Sequence, residues 1–302
     1  MVKKILFTSL AGCMMLAGCS KSDDNTELTP DTPTPPTETT KIPINVATGL
    51  WTRVTDTAFE QNDKVGIYVV NYNGEAAGTL GNSGNHVNNM RFTYTNNWTP
   101  DTPIYWKDQT TKADFYCYYP YSSTVADVTA IPFSVQTDQS SEKNYKASEF
   151  LWGKREKVEP TTNPVELTVS HAMSNLIIKL QPGQGYTNED MERASVTIKG
   201  LKTNATINLA TGAVTATGET ANIVPKKESD NLRALVVPQN ISNTKLIEVV
   251  IDGYTYSLTQ SLTFESHKQH TCTLTVNRTN GGINIGVSGW ETDDKDHGGT
   301  VN

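Results

Sequence analysis

From Lys41 onward the sequence is a series of short β-rich runs separated by turn residues, with no long helical repeat among them. Representative runs lie at 65–70, 90–94, 176–180 and 195–198. Threonine supplies 43 of the 302 residues, and β-branched residues favour pleated sheet over helix. Short runs bounded by Gly, Asn, Asp and Pro are typical of β-sandwiches and barrels. The sequence therefore predicts an all-β fold, with helix only in short pieces such as 189–193.

Two hairpins and one domain boundary can be placed within this pattern. Asp252-Gly253 joins two β-rich runs and suits a type I′ turn, whose positive φ values match the twist of the strands. A second hairpin is predicted to turn at Thr211-Gly212. The stretch 154–164 is charged and carries two prolines, which is typical of a link between domains. We therefore predict two β-sandwich domains, at 41–162 and 163–302, the second ending in an acidic tail.

Residues 1–18 have the layout of a secretory signal peptide. Two lysines precede an apolar run of about fourteen residues, which is shorter than the roughly 20 needed to span a bilayer. The run ends in Leu16-Ala17-Gly18-Cys19, and small residues before a cysteine resemble the bacterial lipobox. We predict cleavage between Gly18 and Cys19 and acylation of the Cys19 thiol, for example by palmitate, which would anchor the chain in the outer membrane. The alternative is an ordinary signal peptide that happens to contain a cysteine.

Residues 19–40 are predicted to be a tether. The segment 20–24, Ser-Lys-Ser-Asp-Asp, resembles the surface-export signal of Bacteroidetes lipoproteins and predicts exposure on the cell surface, although it is also compatible with a merely solvated start of the tether. Residues 26–40 contain seven threonines, four prolines and no aromatic residue. Such a segment cannot bury enough apolar area to offset its ordering entropy. Its prolines favour an extended spacer between the membrane and the folded domains.

Charge and motifs exclude several classes of function. The chain has 25 Lys+Arg against 32 Asp+Glu, and nucleic-acid binding needs clustered basic residues, so we expect no nucleic-acid partner. The sequence contains no Gly-x-Ser-x-Gly, Gly-Lys-Ser/Thr or His-Glu-x-x-His motif, so we expect neither enzyme activity nor a cofactor. His267, His270 and the acidic residues of the tail lack the ligand spacing of a metal site, and we expect no metal.

The run 115–121 carries aromatic residues on both faces. Strand alternation places Phe115 and Cys117 on one face and Tyr116 and Tyr118 on the other, which predicts a central strand covered on both sides. A glycan-stacking platform is the alternative role for these rings. Cys117 and Cys272 fall in different predicted domains, and we expect two free buried thiols, with a disulfide as the alternative.

Four segments of the sequence are similar to those of one known family. They are Asp56-Thr57-Ala58-Phe59-Glu60 leading into Asp63-Lys64-Val65-Gly66-Ile67-Tyr68-Val69, Ile104-Tyr105-Trp106 followed by Asp114-Phe115-Tyr116-Cys117-Tyr118-Tyr119-Pro120-Tyr121, Ser170-His171-Ala172-Met173-Ser174-Asn175-Leu176, and Ile285-Gly286-Val287-Ser288-Gly289-Trp290. The family is that of the fimbrillin-like proteins of Bacteroidales, subunits of type V pili and their anchors and tips. The chain departs from the family pattern at Asn62 and Cys117, where the family usually shows Gly and Ala.

This resemblance implies two transthyretin-like β-sandwich domains, and maturation and assembly of the protein on the cell surface. Members of the family reach the surface as lipoproteins, and a protease cuts after an Arg near the mature start. The groove so exposed is filled by a strand from a neighbouring subunit, which is strand addition. In this chain the candidate cut lies between Arg53 and Val54, because Arg53 is the first arginine and the next is Arg91. An ordinary surface arginine is an equally open reading, and Lys41 is the other basic candidate.

The last apolar segment is the candidate donor strand. Ile283, Ile285 and Val287 alternate on one face of it, although the segment could equally be the final strand of its own sandwich. Thr57, in Asp56-Thr57-Ala58, resembles an O-glycosylation site. The expected function is that of a structural and adhesive fimbrial subunit with other fimbrial subunits as partners. The alternatives are a pilus anchor or tip, or a non-polymerising surface lipoprotein that binds a glycan or a host or bacterial surface ligand.

Overall fold

The computed structural model describes residues 41–47 and 59–278, together with the backbone of 285–293. The strands in the first part of the chain are β1 (Val46–Ala47), β2 (Lys64–Asn71), β3 (Val87–Tyr94), β4 (Trp98–Pro100), β5 (Ala113–Tyr119), β6 (Ile131–Ser134), β7 (Leu151–Val158), β8 (Val165–Glu166) and β9 (Ser170–His171). Those that follow are β10 (Ser174–Pro182), β11 (Ser195–Ile207), β12 (Val214–Ile223), β13 (Lys226–Lys227), β14 (Leu232–Val236), β15 (Gln239–Ile251), β16 (Tyr254–Phe264), β17 (Gln269–Val276) and β18 (Ile285–Asp293). Two short helices are α1 (Glu142–Ala147) and α2 (Asn188–Arg193). The all-β prediction is confirmed.

The first large sheet has six strands in the order β4-β3-β2-β5-β7-β9. Strand β5 lies in its middle, antiparallel to both β2 and β7. Phe115 and Cys117 face one hydrophobic core, whereas Tyr116 and Tyr118 face a second core on the other side. The prediction of a central strand covered on both faces is confirmed. Because these rings are buried, they pack the cores and do not form a platform for glycans.

Two further sheets of five strands are built from strands β10 to β18 together with β6. One has the order β13-β14-β10-β17-β18, and the other has the order β12-β11-β15-β16 with β6 paired to β11. Both predicted hairpins are present. Asp252 and Gly253 have φ values of 49° and 81°, as a type I′ turn between β15 and β16 requires, and Ile207 pairs with Val214 across the Thr211-Gly212 turn.

The second core joins one face of the first sheet to residues of the other two sheets. Strand β6 comes before the predicted boundary at 162/163, yet it pairs with β11 after it, from Ile131↔Ile207 to Ser134↔Asn204. The described residues from Lys41 onward form one compact unit. The division into two transthyretin-like domains stays a prediction.

The helices are short and locally specified. Thr187 caps α2 and forms a capping box with Asp190, which confirms the helix expected at 189–193. Helix α1 begins after its N-cap Ser141 and buries Tyr145; the sequence analysis did not anticipate it. No helix in the described part of the chain is long and apolar enough to cross a bilayer.

Candidate assembly site

An extended segment near the start of the folded chain lies between two others. We call residues 42–47 the slot strand and the strip that it occupies, between residues 104–106 and 165–167, the slot. On one side the Trp106 N–H donates to the Ile42 carbonyl at 2.9 Å, and the Ile44 N–H donates to the Ile104 carbonyl at 2.9 Å. On the other side the Val165 N–H donates to the Asn45 carbonyl at 2.8 Å, where β1 runs parallel to β8.

The side chains of the slot strand alternate between core and solvent. Ile44 and Val46 are buried, with 3% and 7% of their surface exposed, and Ile42 packs partly against the same core. Pro43 and Asn45 between them are exposed. This is the period of two that a half-buried strand requires. Each fully buried aliphatic side chain stabilises the fold by roughly 1.5–3 kcal/mol.

Loss of the slot strand would leave both walls of the slot unsatisfied. The N–H groups of Trp106 and Val165 and the carbonyl of Ile104 would lose their partners. Trp106 and Val165 are themselves buried, and leaving a buried polar group unpaired costs about 1–3 kcal/mol. An empty slot would therefore present unpaired backbone groups beside apolar pockets spaced at every second residue.

The chain is anchored again just before β2, by ring contacts and a hydrogen-bonded turn. Phe59 is buried, and its ring meets that of Trp98 edge-on at 4.9 Å and that of Tyr119 at 5.8 Å. The Glu60 N–H donates to the Asp63 carboxylate at 2.7 Å, and the Asp63 N–H donates to the Glu60 carbonyl at 3.0 Å. The slot strand and this anchor thus lie on either side of residues 48–58.

Most of the site residues expected from the sequence lie outside the described residues. They are Gly18, Cys19, Arg53, Val54, Thr57 and Ile283. Ile285 and Val287 belong to β18, where they pair with Val276 and Leu274 of β17. Among the described residues, strand β18 ends its sheet and pairs with β17 alone. The cleavage, lipidation, glycosylation and donor-strand assignments all stay predictions.

The slot strand itself was missed by the sequence analysis. Its signal is the alternation Ile42, Ile44, Val46 directly after the Thr/Pro-rich tether. The run is only six residues long and contains Pro43, so alternation alone is weak support for a strand. Its partners are residues 104–106 and 165–167, which are distant in sequence.

The remaining candidate functional residues, two cysteines and a histidine, are buried. Cys117 and Cys272 are both free and buried; burial raises the pKa of the Cys117 thiol and raises the pKa of Cys272 to about 12. His270 lies on β17, and its ring is buried without a hydrogen-bond partner in the described part of the structure. The described residues contain no cluster of three or more His, Cys, Asp or Glu side chains that could hold a metal ion.

Comparison with known proteins identifies the family. A family model described as fimbrillin-like matches residues 52–290. The chain belongs to the fimbrillin-like family. This fimbrillin-like chain is 27% identical over 308 residues to a candidate fimbrium subunit of Bacteroides uniformis, with 96% of each chain covered. It is also 24% identical over 207 residues to a candidate fimbrium tip subunit of Bacteroides ovatus, covering 58% of this chain and 34% of that one.

Solved structures show the same fold. The crystal structure of a candidate cell adhesion protein from Bacteroides uniformis aligns with a TM-score of 0.63 at 24% identity and covers 83% of this fimbrillin-like chain and 97% of the other. A candidate cell adhesion protein from Bacteroides ovatus aligns with the same TM-score and coverage at 18% identity. These similarities concern the fold alone.

Proposed function

We propose that this chain is a structural and adhesive subunit of a surface fimbrium, made as a lipid-anchored precursor and assembled by strand addition after proteolysis. Membership of the fimbrillin-like family and the names of its relatives support the fimbrial role. One observation carries the assembly step: the slot strand, 42–47, precedes Arg53 in the chain and completes the first core. Both named relatives are described as fimbrium subunits, which agrees with an absence of enzyme activity.

The proposed maturation follows from the position of the slot strand. A cut after Arg53 removes everything from Cys19 to Arg53, including the lipid, the tether and the slot strand. The anchor at Phe59 lies beyond the cut and stays with the core. The slot then presents unpaired backbone groups and empty apolar pockets, which a strand from another subunit fills by main-chain hydrogen bonding.

The proposed donor matches the slot strand in sequence. Residues 42–46 read Ile-Pro-Ile-Asn-Val and residues 283–287 read Ile-Asn-Ile-Gly-Val. Both present Ile, Ile and Val at alternate positions, so a donor strand in the same register offers the pockets the same three side chains. The contact is head-to-tail and does not close on itself, which builds a filament.

The edge position of β18 supports its role as donor. A strand that pairs on one side alone can leave its sheet without separating two other strands. In the precursor β18 pairs with β17 of its own chain. In the fimbrium this segment would instead reach into the slot of the next subunit.

The test compares two substitutions on opposite faces of the candidate donor. Ile285→Asp places a charge among the apolar side chains, and Asn284→Asp places the same charge on the other face. In protease-treated protein we expect Ile285→Asp to abolish SDS-resistant multimers while the monomer still folds, with a lowered thermal midpoint because Ile285 pairs with Val276 of β17, and Asn284→Asp to assemble normally. SDS-resistant multimers of Ile285→Asp, or an Ile285→Asp monomer that no longer folds, would show that the donor assignment is wrong.

A further inference from the structure

The outer edge of strand β14 is covered by another segment of the same chain. Residues 136–140, which we call the strap, connect β6 to α1 and lie along the outer edge of β14. The neighbouring strand β13 has only two residues and pairs with Leu232 and Arg233. The rest of β14 on this side therefore needs another partner for its backbone groups.

The side chain of Gln139 supplies that partner. It is fully buried, and its Oε1 accepts from the Leu235 N–H at 2.8 Å. Its Nε2 donates to the Leu235 carbonyl at 2.8 Å and to the Gln136 carbonyl at 3.1 Å. The amide thus occupies both backbone groups of Leu235, as the peptide group of an adjacent strand would, and every hydrogen-bonding group of the side chain that faces the protein is satisfied.

The backbone of the strap is held by the residue that follows β12. The Gln139 N–H donates to the Val224 carbonyl at 2.9 Å, and the Val224 N–H donates to the Thr137 carbonyl at 2.8 Å. Just before the strap, the Val135 N–H donates to the Thr203 carbonyl at 2.9 Å. The strap therefore joins Val224, directly after β12, to Leu235 within β14.

Helix α1 fixes the far end of the strap. Tyr145 is fully buried, and its hydroxyl accepts from Arg233 Nε at 2.9 Å, so it is tied to β14 itself. Glu142 forms an ion pair with Lys226 of β13. With both ends of the strap attached, the Gln139 side chain is, among the described contacts, the one that joins the strap itself to the backbone of β14.

We propose that the strap is a guard which, through Gln139, keeps the edge of β14 from pairing with β14 of a second copy of this chain. Strand β14 reads Leu-Arg-Ala-Leu-Val and Ala234, Leu235 and Val236 are buried. An open edge of such an apolar strand is a template for pairing with an identical edge. The guard confines association to other surfaces, and it does not depend on the proposed cleavage or strand donation.

The experiment uses the full chain carrying Cys19→Ser and Arg53→Ala, so that neither lipid nor cleavage affects the result. Gln139→Ala removes the contact, Gln139→Met removes the hydrogen bonds but keeps most of the volume, and Gln136→Ala is the control, because Gln136 is exposed on the same strap. Hydrogen exchange of the Leu235 amide and light scattering across a range of concentrations are the measurements. We expect both Gln139 variants to exchange this amide about tenfold faster, as for the loss of one buried hydrogen bond, and to form concentration-dependent dimers.

Gln136→Ala should behave as the parent chain in both measurements. An unchanged Leu235 amide in the Gln139 variants would overturn the proposal, and so would faster exchange in a chain that stays monomeric at every concentration. Hydrogen exchange of the parent chain, without any further substitution, gives a second test. If the strap is the guard, the amides of Gln139 and Leu235 share one opening event, and a Leu235 amide protected tenfold longer than that of Gln139 would equally overturn it.

Discussion

Gly66 of β2 leaves room for the ring of Tyr118, its partner on the neighbouring strand β5. A Cβ added there would lie 2.1 Å from Cε1 and 2.5 Å from Cζ of Tyr118. The Tyr118 ring cannot move aside easily, because it is fully buried and its hydroxyl donates to Asn89 Oδ1 at 2.8 Å. The glycine in the segment Val65-Gly66-Ile67-Tyr68 is therefore required by packing across the sheet.

We predict that Gly66→Ala destabilises the protein by about 1–3 kcal/mol, as overpacking of a core does. Urea unfolding monitored by tryptophan fluorescence measures the loss. The same substitution should cost much less in a Tyr118→Leu background, which lacks the two ring atoms that clash. If the costs of Gly66→Ala and Tyr118→Leu simply add, the contact with the ring is not the cause.

His270 makes the stability of the fold depend on pH. Its ring is buried and meets Phe264 edge-on at 5.3 Å. Desolvation lowers the pKa of His270 from its usual 6.5, with Glu265 acting to raise it and Lys268 to lower it. A histidine with a lowered pKa in the folded state stabilises the fold above its unfolded pKa, and this stability is lost as the pH falls below about 6.5, because only the unfolded chain then takes up the proton.

We therefore predict that the free energy of unfolding falls between pH 7 and pH 5 with a contribution from His270 of up to about 1.4 kcal/mol per pH unit. His270→Phe should remove that part of the slope, and His86→Gln, at a half-buried histidine just before β3, is the control. Urea midpoints at half-unit pH steps measure it. Equal slopes for the parent and His270→Phe would rule out this histidine as the source.

At the scale of elements, the hairpin turns and helix starts that neighbouring residues determine could be predicted from the sequence. The positive φ values of Asp252 and Gly253 define one hairpin, and the pairing of Thr187 with Asp190 begins α2. Strand β6 could not be predicted, because it contains Pro132, which is tolerated at a sheet edge, and its partner β11 lies about 70 residues further on. Its place in the fold is set by tertiary contacts.

The slot strand allows a prediction that compares the uncleaved chain with the cleaved one. Ile44→Asp puts a carboxylate into the first core and should destabilise the uncleaved chain by about 2–5 kcal/mol. The cleaved protein lacks the slot strand, so its thermal midpoint should not change. Asn45→Asp, at the exposed neighbour, is the control. An equal loss of stability before and after cleavage would contradict the proposal that the slot strand leaves.

At the scale of the whole molecule, the sequence and the structure contribute different parts of the assembly site. The candidate cut at Arg53 and the donor segment came from the family resemblance. The slot could not be predicted, since the burial of Ile44 and Val46 depends on segments around Trp106 and Val165. With the slot strand identified, the proposed cut after Arg53 would have a physical consequence, because the event that released the lipid would also open the core.

This coupling predicts how release and polymerisation respond together. On cells, the parent chain should yield shed material that begins at Val54 and forms multimers, whereas Arg53→Ala should stay cell-bound and monomeric. Cys19→Ser should lose incorporation of a clickable palmitate, and Cys19→Ser with Arg53→Ala should be released yet remain monomeric, because its slot is still filled. Lys41→Ala is the control for the other basic residue. If the double variant polymerises, or if shed chains begin at a residue other than Val54, assembly does not depend on a cut after Arg53.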